Sequence, residues 1–390
     1  MNILLITPFF YPHKGGSQQY AEELYAHLMA LDPSIQVDVL CYNTDQAPAQ
    51  ESYRGMQVYR VPCITLLPGQ FALPNYVLLW QTLRKLHQER NYALINSHTR
   101  FFENSWWTPF AARTLGTRSL LTDHCAFHPN HRSSLVRAVA RFVDGRVAPF
   151  FCAAYDDVTV TNQATYAFVQ DLGIQPTAVI YGGVDTETFS PAVDPTALRR
   201  FPGIDRTFAA DELVITFVGR MIYSKGPQLL AAAAEELGKR YPMISFVFVG
   251  GGELLDSLRA KHSDRVYFTG PLFTADIATI LAGTDILVHP SMHHEGFPNV
   301  LLEAGAAGCA VIATPMGGSQ EIVIDGETGK IINPDVNAII QAVSVLIEQP
   351  DLRTRLAAAI RNHVVKQFSW REIAQHYHAF VQARYTGSAT

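Results

Sequence analysis

Short apolar runs alternate with longer helix-like stretches along the whole chain. The first run, NILLIT at residues 2–7, is followed by a glycine-containing loop and by SQQYAEELYAHLMAL at 17–31. The second half repeats this order, starting with LVITFVGR at 213–220 and ISFVFVGGG at 244–252. A parallel strand is buried on both faces, so it forms a continuous apolar run and not an alternating one. The pattern predicts two α/β domains, each with a doubly wound parallel sheet.

The length of the chain also indicates two domains. At 390 residues it exceeds the size at which a single hydrophobic core keeps growing. We predict an N-terminal domain at residues 1–188 and a C-terminal domain at 189–368, divided in the proline-containing segment DTETFSPAVDPTAL. The last helix-like stretch, within 369–390, follows both domains, and one option is that it packs back on the N-terminal domain.

Composition and charge exclude several classes of protein. With 48% hydrophobic residues, 17% charged residues and a formal net charge of −5, the chain is neither a long disordered segment nor a basic nucleic-acid-binding protein. The N-terminus has no basic segment, and no apolar run approaches the roughly 18 residues of a membrane span, so we expect neither a signal peptide nor a spanning helix. The cysteines are scattered, without a CxxC pair, which indicates a reducing compartment and a cytoplasmic protein.

Glycines and cations follow the strands of the second half, where ligands of open parallel sheets bind. Arg220 and Lys225 come after the first of these strands and can neutralise a diphosphate, which arginine binds bidentately. A solvent-exposed pair is the alternative. The glycines at 250–252 lack the spacing of a dinucleotide fingerprint. A tight turn explains them, and close approach to a ligand is the second option.

Two carboxylates lie eight positions apart in HHEGFPNVLLEAGAAG, at residues 293–308. Pro298 suits the first turn of a helix, whose unpaired amides around 296–300 can hold a phosphate. Glu295 then precedes the helix, and Glu303 lies one to two turns inside it. Carboxylates on both sides of a phosphate site suit a sugar nucleotide, although a solvated helix face is the alternative. The AGAAG after Glu303 favours the site, because it indicates close backbone packing.

The first half offers a second set of candidates. Gly15 and Gly16 open a helix after the first strand, which is a second place for a phosphate. His98 and His124 each end a predicted strand, and Asp123 next to His124 can tune its imidazole, although an ordinary loop histidine is the alternative. A zinc site in HCAFHPNH, with His124, His128 and His131, is disfavoured because Pro129 prevents helical spacing and no further ligand is apparent.

Many of these motifs, in this order, resemble glycosyltransferase family 4, the retaining nucleotide-sugar-dependent enzymes with two facing Rossmann-like domains, the GT-B fold. The resemblance runs nearly end to end. Among the pieces that carry it are KGGSQQYAEEL, INSHT, LLTDH, VIYGGVDTETFSP, FVGRMIYSKGPQLL, FVGGGELLDSL, VYFTGPL and DILVHPSMHHEGFPNVLLEAGAAGCAVIATPMGGSQEIV.

The resemblance also implies roles for individual residues. Glu295 and Glu303 match the family's Glu-x7-Glu pair, with the first on the transferred sugar and the second on the ribose. Arg220 and Lys225 match the cations on the diphosphate, and His124 matches the histidine that faces the donor sugar. Further contacts to the nucleotide sugar are implied for Gly15, Gly16, Gly251, Pro271, Leu272, Gly296, Phe297, Pro298, Asn299 and Val300. In two places this sequence departs from the common pattern, with Cys125 after His124 and GFPNV for GFGLV.

The expected activity is the retaining transfer of a hexose from a nucleotide sugar to a hydroxyl of a glycan, lipid-linked or small-molecule acceptor. A UDP-sugar is favoured over GDP-mannose only by the general prevalence of UDP donors. No nucleophile–base pair is apparent, and because two cations can neutralise the diphosphate, no metal cofactor is expected. A sugar-nucleotide epimerase of the same fold and a non-catalytic nucleotide-sugar-binding protein are the alternatives.

Residues 104–155 contain six arginines, two aspartates and no lysine or glutamate. Within them, apolar residues from Leu135 to Val143 recur at helical spacing, with Arg137 and Arg141 on the opposite side, which predicts an amphipathic helix. Either its apolar side packs in the core with the arginines in water, or the arginines meet an anionic membrane surface that carries the acceptor.

Overall fold

Two compact units make up the computed structural model, which describes residues 1–67, 71–128, 134–194, 198, 204, 208–261, 265–293 and 296–385. One unit contains residues 1–183 together with 370–390, and the other contains 184–369. The first division therefore lies five residues before the predicted one. Packing explains this position, because Gly183 lies against Trp370 so closely that a Cβ atom on the glycine would be 2.6 Å from the indole ring.

The first unit is built on an eight-stranded sheet in its described part, with the strand order β10-β9-β8-β7-β1-β2-β4-β3. All neighbours are parallel except β3 and β4, and β5 and β6 form a separate antiparallel pair. The strands are β1 (Asn2–Thr7), β2 (Gln36–Tyr42), β3 (Gln50–Tyr53), β4 (Met56–Val61), β5 (Cys63–Leu67), β6 (Phe71–Pro74), β7 (Leu94–His98), β8 (Arg118–Asp123), β9 (Asp157–Val160) and β10 (Ala178–Val179).

Helices cover both faces of this sheet. Alternate residues of β1 point to opposite faces, so Ile3 and Leu5 pack in one core and Leu4 and Ile6 in another. The last helix packs beside the first, in the core that contains Leu5. The helices are α1 (Gly16–Leu31), α2 (Tyr76–Arg90), α3 (Asn104–Leu115), α4 (Ser134–Phe142), α5 (Ala148–Cys152), α6 (Gln163–Asp171) and, from the C-terminal end, α14 (Trp370–Tyr385).

The second unit has a parallel six-stranded sheet in its described part, in the order β13-β12-β11-β14-β15-β16. Its strands are β11 (Leu213–Val218), β12 (Ile244–Val249), β13 (Val266–Gly270), β14 (Ile286–His289), β15 (Ala310–Ala313) and β16 (Lys330–Ile331). Its helices are α7 (Pro227–Arg240), α8 (Leu255–Arg259), α9 (Thr274–Ala282), α10 (Asn299–Ala307), α11 (Ser319–Ile322), α12 (Val336–Glu348) and α13 (Pro350–Phe368).

Each sheet has a point where the strand order reverses. In the first unit it lies between β1 and β7, and in the second unit between β11 and β14. Loops on either side of such a point diverge to opposite faces and leave a crevice for a ligand. The candidate residues found in the sequence follow these four strands or their neighbours. In the described part of the chain, no helix is long and apolar enough to cross a membrane.

Helix α10 packs closely on α13, as the AGAAG segment predicted. A Cβ atom on Gly305 would lie 2.9 Å from Val364 Cγ2 and 3.0 Å from Ile360 Cγ1. A close approach of two helices through a small residue leaves no room for a larger one. Glycine at 305 thus fixes the distance of α10, and of the loop before it, from α13.

Changing Gly305 to Ala is expected to lower the free energy of unfolding by about 1–3 kcal/mol, because the added methyl group overpacks the α10–α13 contact. Chemical denaturation checks this value. Gly238→Ala is the matched control, since Gly238 is also helical and a Cβ atom there meets no atom within 4 Å. The free energy of unfolding of the control should rise by roughly 0.5–1 kcal/mol, because alanine loses less backbone entropy than glycine on folding. Equal effects of the two changes would contradict the packing role of Gly305.

Candidate active site

The loops after β11, β12 and β13 are joined by backbone hydrogen bonds at the carboxyl edge of the second sheet. Met221 N donates to Gly251 O over 2.8 Å, and Gly250 N donates to Gly270 O over 2.9 Å. Gly250 has a φ of 131°, and a Cβ atom on it would lie 1.9 Å from Gly219 O. Contact between neighbouring loops therefore requires a glycine at 250. These bonds place Arg220, Gly251 and Pro271 at one corner of the edge.

The loop after β14 is bound to the loop after β11 across the point of reversal. Met292 N donates to Ser224 O over 2.8 Å. Gly226 has a φ of 72°, and a Cβ atom on it would lie 2.0 Å from Pro290 O, so the two backbones touch. The loop at 219–226, which contains the candidate cations, therefore lies against the described start of the loop after β14, at 290–292.

Arg220 and Lys225 lie between β11 and α7. The Arg220 side chain is exposed, and its guanidinium has no hydrogen bond or ion pair with any residue that the structure describes. Lys225 is half-buried and ends a 3-10 turn, Tyr223–Lys225, directly before Gly226 and the first turn of α7. An uncompensated guanidinium at a strand end is available to an anion.

Glu303 is half-buried on α10, which begins at Asn299, one residue after Pro298. Burial raises the pKa of its carboxyl to about 7. Within the described ranges, this carboxyl makes no hydrogen bond and no ion pair. A desolvated carboxyl without a partner costs free energy, and hydroxyl donors from a ligand would offset that cost.

The other predicted residues of this half that the structure describes lie around the same edge. Glu295 falls outside the described residues. Gly296 accepts a hydrogen bond from Gly318 N over 2.9 Å, and Phe297 packs on Phe368 with a ring separation of 5.6 Å. Asn299 is exposed, whereas Val300 and, in the loop after β13, Leu272 are half-buried.

In the first unit, α1 begins at Gly16 after an extended Gly15. Gly16 is exposed, and a Cβ atom added to it meets no atom within 4 Å, so the space beside this helix terminus is open. The first amides of a helix have no partner within the helix and can bind a phosphate. The terminus follows β1, which borders the point of reversal of the first sheet.

His124 follows β8 and contacts His98, the last residue of β7. Its Nε2 lies 3.1 Å from His98 Nδ1, and the Tyr20 ring packs edge-on at 4.8 Å. Burial lowers the pKa of His124 to about 4, while the Asp123 carboxylate opposes this shift. Burial also lowers the pKa of His98, and His124 adds to this effect. Asp123 does affect the pKa of His124, as its position in the sequence suggested, but burial has the larger effect, and the imidazole is neutral at pH 7.

Asp123 is engaged in a buried ion-pair network that sequence analysis did not find. Its carboxylate accepts from the backbone N–H of His124 over 3.0 Å and pairs with the fully buried Arg100. Arg100 Nε also donates to Asp144 Oδ1 over 2.7 Å, and His128 Nδ1 lies 2.5 Å from Asp144 Oδ2. Breaking a buried pair of this kind typically costs about 3–5 kcal/mol, so the network fixes the loop that carries His124.

The predicted amphipathic helix is present as α4, and the described part of its apolar side is covered only in part, with Val143 half-buried. Val139 and Phe142 are 55% and 64% exposed, and after a π-helical turn, Val143–Val147, Phe150 is 69% exposed. The expectation of a buried apolar side is therefore wrong for these residues. Arg141 is exposed, and Arg137 is half-buried.

His128 pairs with Asp144, and His131 lies outside the described residues. No group of three histidine, cysteine or acidic side chains suitable for a metal ion occurs in the described ranges.

Comparison with known proteins covers both units. The profile described as Glycosyltransferase Family 4 matches residues 14–188, and the profile described as Glycosyl transferases group 1 matches residues 212–349. Together they contain the candidate residues of both sheets.

Similar proteins match along nearly the whole chain. A GDP-mannose-dependent alpha-(1-6)-phosphatidylinositol monomannoside mannosyltransferase of Mycolicibacterium smegmatis is 28% identical over 95% of each chain. A phosphatidylinositol N-acetylglucosaminyltransferase subunit of Saccharomyces cerevisiae is 23% identical, over 96% of this chain and 81% of its own. Anabaena HepE, solved in complex with UDP-glucose, has a TM-score of 0.73 at 21% identity and covers 98% of this chain and 100% of its own. The chain belongs to glycosyltransferase family 4, has the GT-B fold, and is an enzyme that moves a sugar from a nucleotide sugar to an acceptor.

Proposed function

We propose that this enzyme transfers a hexose, with retention of anomeric configuration, from a UDP-sugar to a hydroxyl of a lipid-linked acceptor. The observation that carries the donor site is the half-buried carboxyl of Glu303 on α10, which has no partner among the described residues. It lies on the helix that follows β14, and the Arg220 guanidinium, also without a partner among those residues, follows the neighbouring strand β11. A nucleoside diphosphate supplies what both groups lack, because it offers ribose hydroxyls to the carboxyl and phosphate oxygens to the cation.

The diphosphate binds between the two loops of the second unit. Arg220 and Lys225 neutralise its charge from the β11 side, and the first amides of α10, around 296–300, bind phosphate oxygens from the β14 side. The base contacts the backbone at Pro271 and Leu272, and Gly251 lies beside the phosphates. In the first unit, the open terminus at Gly15 and Gly16 provides a second set of amides.

Catalysis consists of stabilising the departing diphosphate. Cations and helix termini that are already in place act where negative charge develops, so no protein nucleophile and no metal are required. A phosphate oxygen of the leaving group takes the proton of the acceptor hydroxyl on the same face of the sugar, which accounts for retention. On the resemblance to the family, His124 faces the donor sugar and Glu295 hydrogen-bonds its hydroxyls.

A lipid-linked acceptor fits the surface of the first unit. The exposed apolar side chains of Val139, Phe142 and Phe150 lie close in the chain to Arg141 and Arg146. Apolar groups beside arginines suit the boundary of an anionic membrane, where each cation contributes about 1 kcal/mol. The mycobacterial and yeast relatives described above are named as acting on phosphatidylinositol or its monomannoside, which supports an acceptor of this class.

Replacing Glu303 by Ala is expected to weaken nucleoside diphosphate binding by roughly 1.5–3 kcal/mol, because hydrogen bonds to a charged acceptor are lost. Thermal-shift screening of UDP, GDP and ADP identifies the base, and calorimetry then measures the affinity. Glu327→Ala, which removes an exposed carboxylate of the same unit, is the control. Unchanged affinity in the Glu303 variant contradicts the ribose role.

The same carboxyl gives this binding a pH dependence. Ribose hydroxyls favour the ionised form, so affinity should rise as pH increases through about 7, the pKa of Glu303 in the free protein. Glu303→Gln cannot ionise and should lose that rise, while the titration of the nucleotide phosphate remains in both proteins.

The first-formed glycoside should have the anomeric configuration of the donor, because nucleophile and leaving group share one face of the sugar. NMR of the glycoside product checks this outcome. An inverted product contradicts the mechanism, and interconversion of the free sugar nucleotide without an acceptor indicates the epimerase instead.

The protein should sediment with anionic liposomes and less with neutral ones. Arg141→Gln with Arg146→Gln should weaken binding to anionic liposomes, and Phe142→Ser with Phe150→Ser should weaken binding to both. Arg353→Gln with Arg355→Gln, which changes two arginines of α13 in the second unit, is the matched control. Equal recovery of the protein with anionic and with neutral liposomes contradicts the contact of the arginines with an anionic membrane.

A further inference from the structure

His98 and His124 share one hydrogen bond, and its direction can be worked out from the other neighbours of His98. The two rings lie 5.1 Å apart, centre to centre, with His124 Nε2 3.1 Å from His98 Nδ1. The sheet fixes this approach, because His98 is in register with Thr122, two residues before His124. Both imidazoles are neutral, since burial lowers both pKa values. One nitrogen of the contact therefore donates and the other accepts.

Asn96 determines which nitrogen donates. Its side-chain Nδ2 lies 3.4 Å from His98 Nε2, and an amide nitrogen can only donate. The same Nδ2 donates to the Tyr25 hydroxyl over 2.6 Å and also lies 3.3 Å from Thr122 Oγ1 and 3.5 Å from the Tyr377 hydroxyl. A proton on His98 Nε2 would face this NH2 group, donor against donor, so in the neutral ring the proton is on Nδ1.

The hydrogen bonds lead from Asn96 through His98 to His124. We propose that His98 is a positioning residue that donates from Nδ1 to His124 Nε2 and thereby fixes His124 as the Nδ1–H tautomer, a neutral hydrogen-bond donor to the substrate. Among the residues that the structure describes, His124 Nδ1 has no hydrogen-bond partner. The lone pair of His124 is already used by His98. His124 therefore offers the substrate a proton donor and no base.

The charged groups around His124 support this assignment. Asp123, on the same strand end, accepts the backbone N–H of His124 and pairs with Arg100, which also pairs with Asp144. From α1, the Tyr20 hydroxyl donates to Ile180 O over 3.0 Å and presents only the edge of its ring to His124. The carboxylates that face this region are thus engaged by Arg100.

Long-range proton–nitrogen correlation spectra of the protein with 15N-labelled histidine test the assignment directly. The expected spectrum has both His98 and His124 protonated on Nδ1 and bare on Nε2 at neutral pH. Loss of each signal in His98→Gln and His124→Gln assigns the resonances. A proton on His124 Nε2, or an imidazolium ring at neutral pH, overturns the proposal.

Variants at His98 separate the hydrogen bond from the packing. His98→Leu fills the site without a donor, so His124 should lose its single tautomer, whereas His98→Gln keeps an amide donor and should restore it at least in part. His378→Gln, in the Asp32 pair on α14, is the matched control and should leave the His124 signal unchanged. If His98→Leu does not fold, the spectra of the parent and of His98→Gln still show whether His124 is protonated on Nδ1. An unchanged tautomer in folded His98→Leu overturns the role of His98.

The effect on turnover rests on the proposed function, whereas the spectra do not. With sugar nucleotides of the base that the thermal-shift screen identifies as donors, His98→Leu should lower kcat at least about tenfold, because the wrong tautomer of His124 removes a positioned hydrogen-bond donor. UDP affinity should stay unchanged, since Glu303, Arg220 and Lys225 all lie in the other unit. A correct tautomer in an enzyme without transferase activity would contradict the proposed function and leave the assignment intact.

Discussion

Parallel pairing of strands is the constraint from which the rest of this structure follows. All strands of the second sheet run in one direction, so the loops after β11, β12, β13 and β14 emerge at the same edge. A parallel sheet also needs helices on both faces, and these helices begin where the loops end. The edge therefore combines the exposed Arg220, the half-buried Lys225, the first amides of α10 and the carboxyl of Glu303. In the described part of this unit, the chemistry that can bind a sugar nucleotide lies in loops and helix termini beyond the apolar strands.

Much of the second unit could be predicted from sequence because its signals are local. Apolar runs identified the strands, and residues directly after them, such as Arg220, lie at the edge of the sheet. The small residues after Glu303 predicted the close contact of α10, which Gly305 makes with α13. The position of Glu303 could be inferred from the start of the helix, but its raised pKa could not, because desolvation depends on how neighbouring elements cover the carboxyl.

The first unit was less predictable because its important contacts are long-range. Strand β3, with the sequence QESY, is polar and joins the sheet at its edge as an antiparallel strand, so no continuous apolar run indicates it. An arginine is usually expected at the surface, yet Arg100 is fully buried and pairs there with Asp123 and Asp144. The approach of His98 to His124 depends on the register of β7 and β8. Helical periodicity identified α4, but could not tell which of its sides the fold covers.

The position of α14 affects how the chain can fold as it is synthesised. Trp370, Ile373, Tyr377 and Val381 complete the core around β1 and α1, although they follow the entire second unit in sequence. Residues 184–369 are contiguous and can fold as soon as they leave the ribosome. The first half of the chain must wait, with part of its apolar surface uncovered, until the last helix is made. The unit whose synthesis begins first is therefore completed last. A chimera that takes this unit from a relative has to take both ends of the chain.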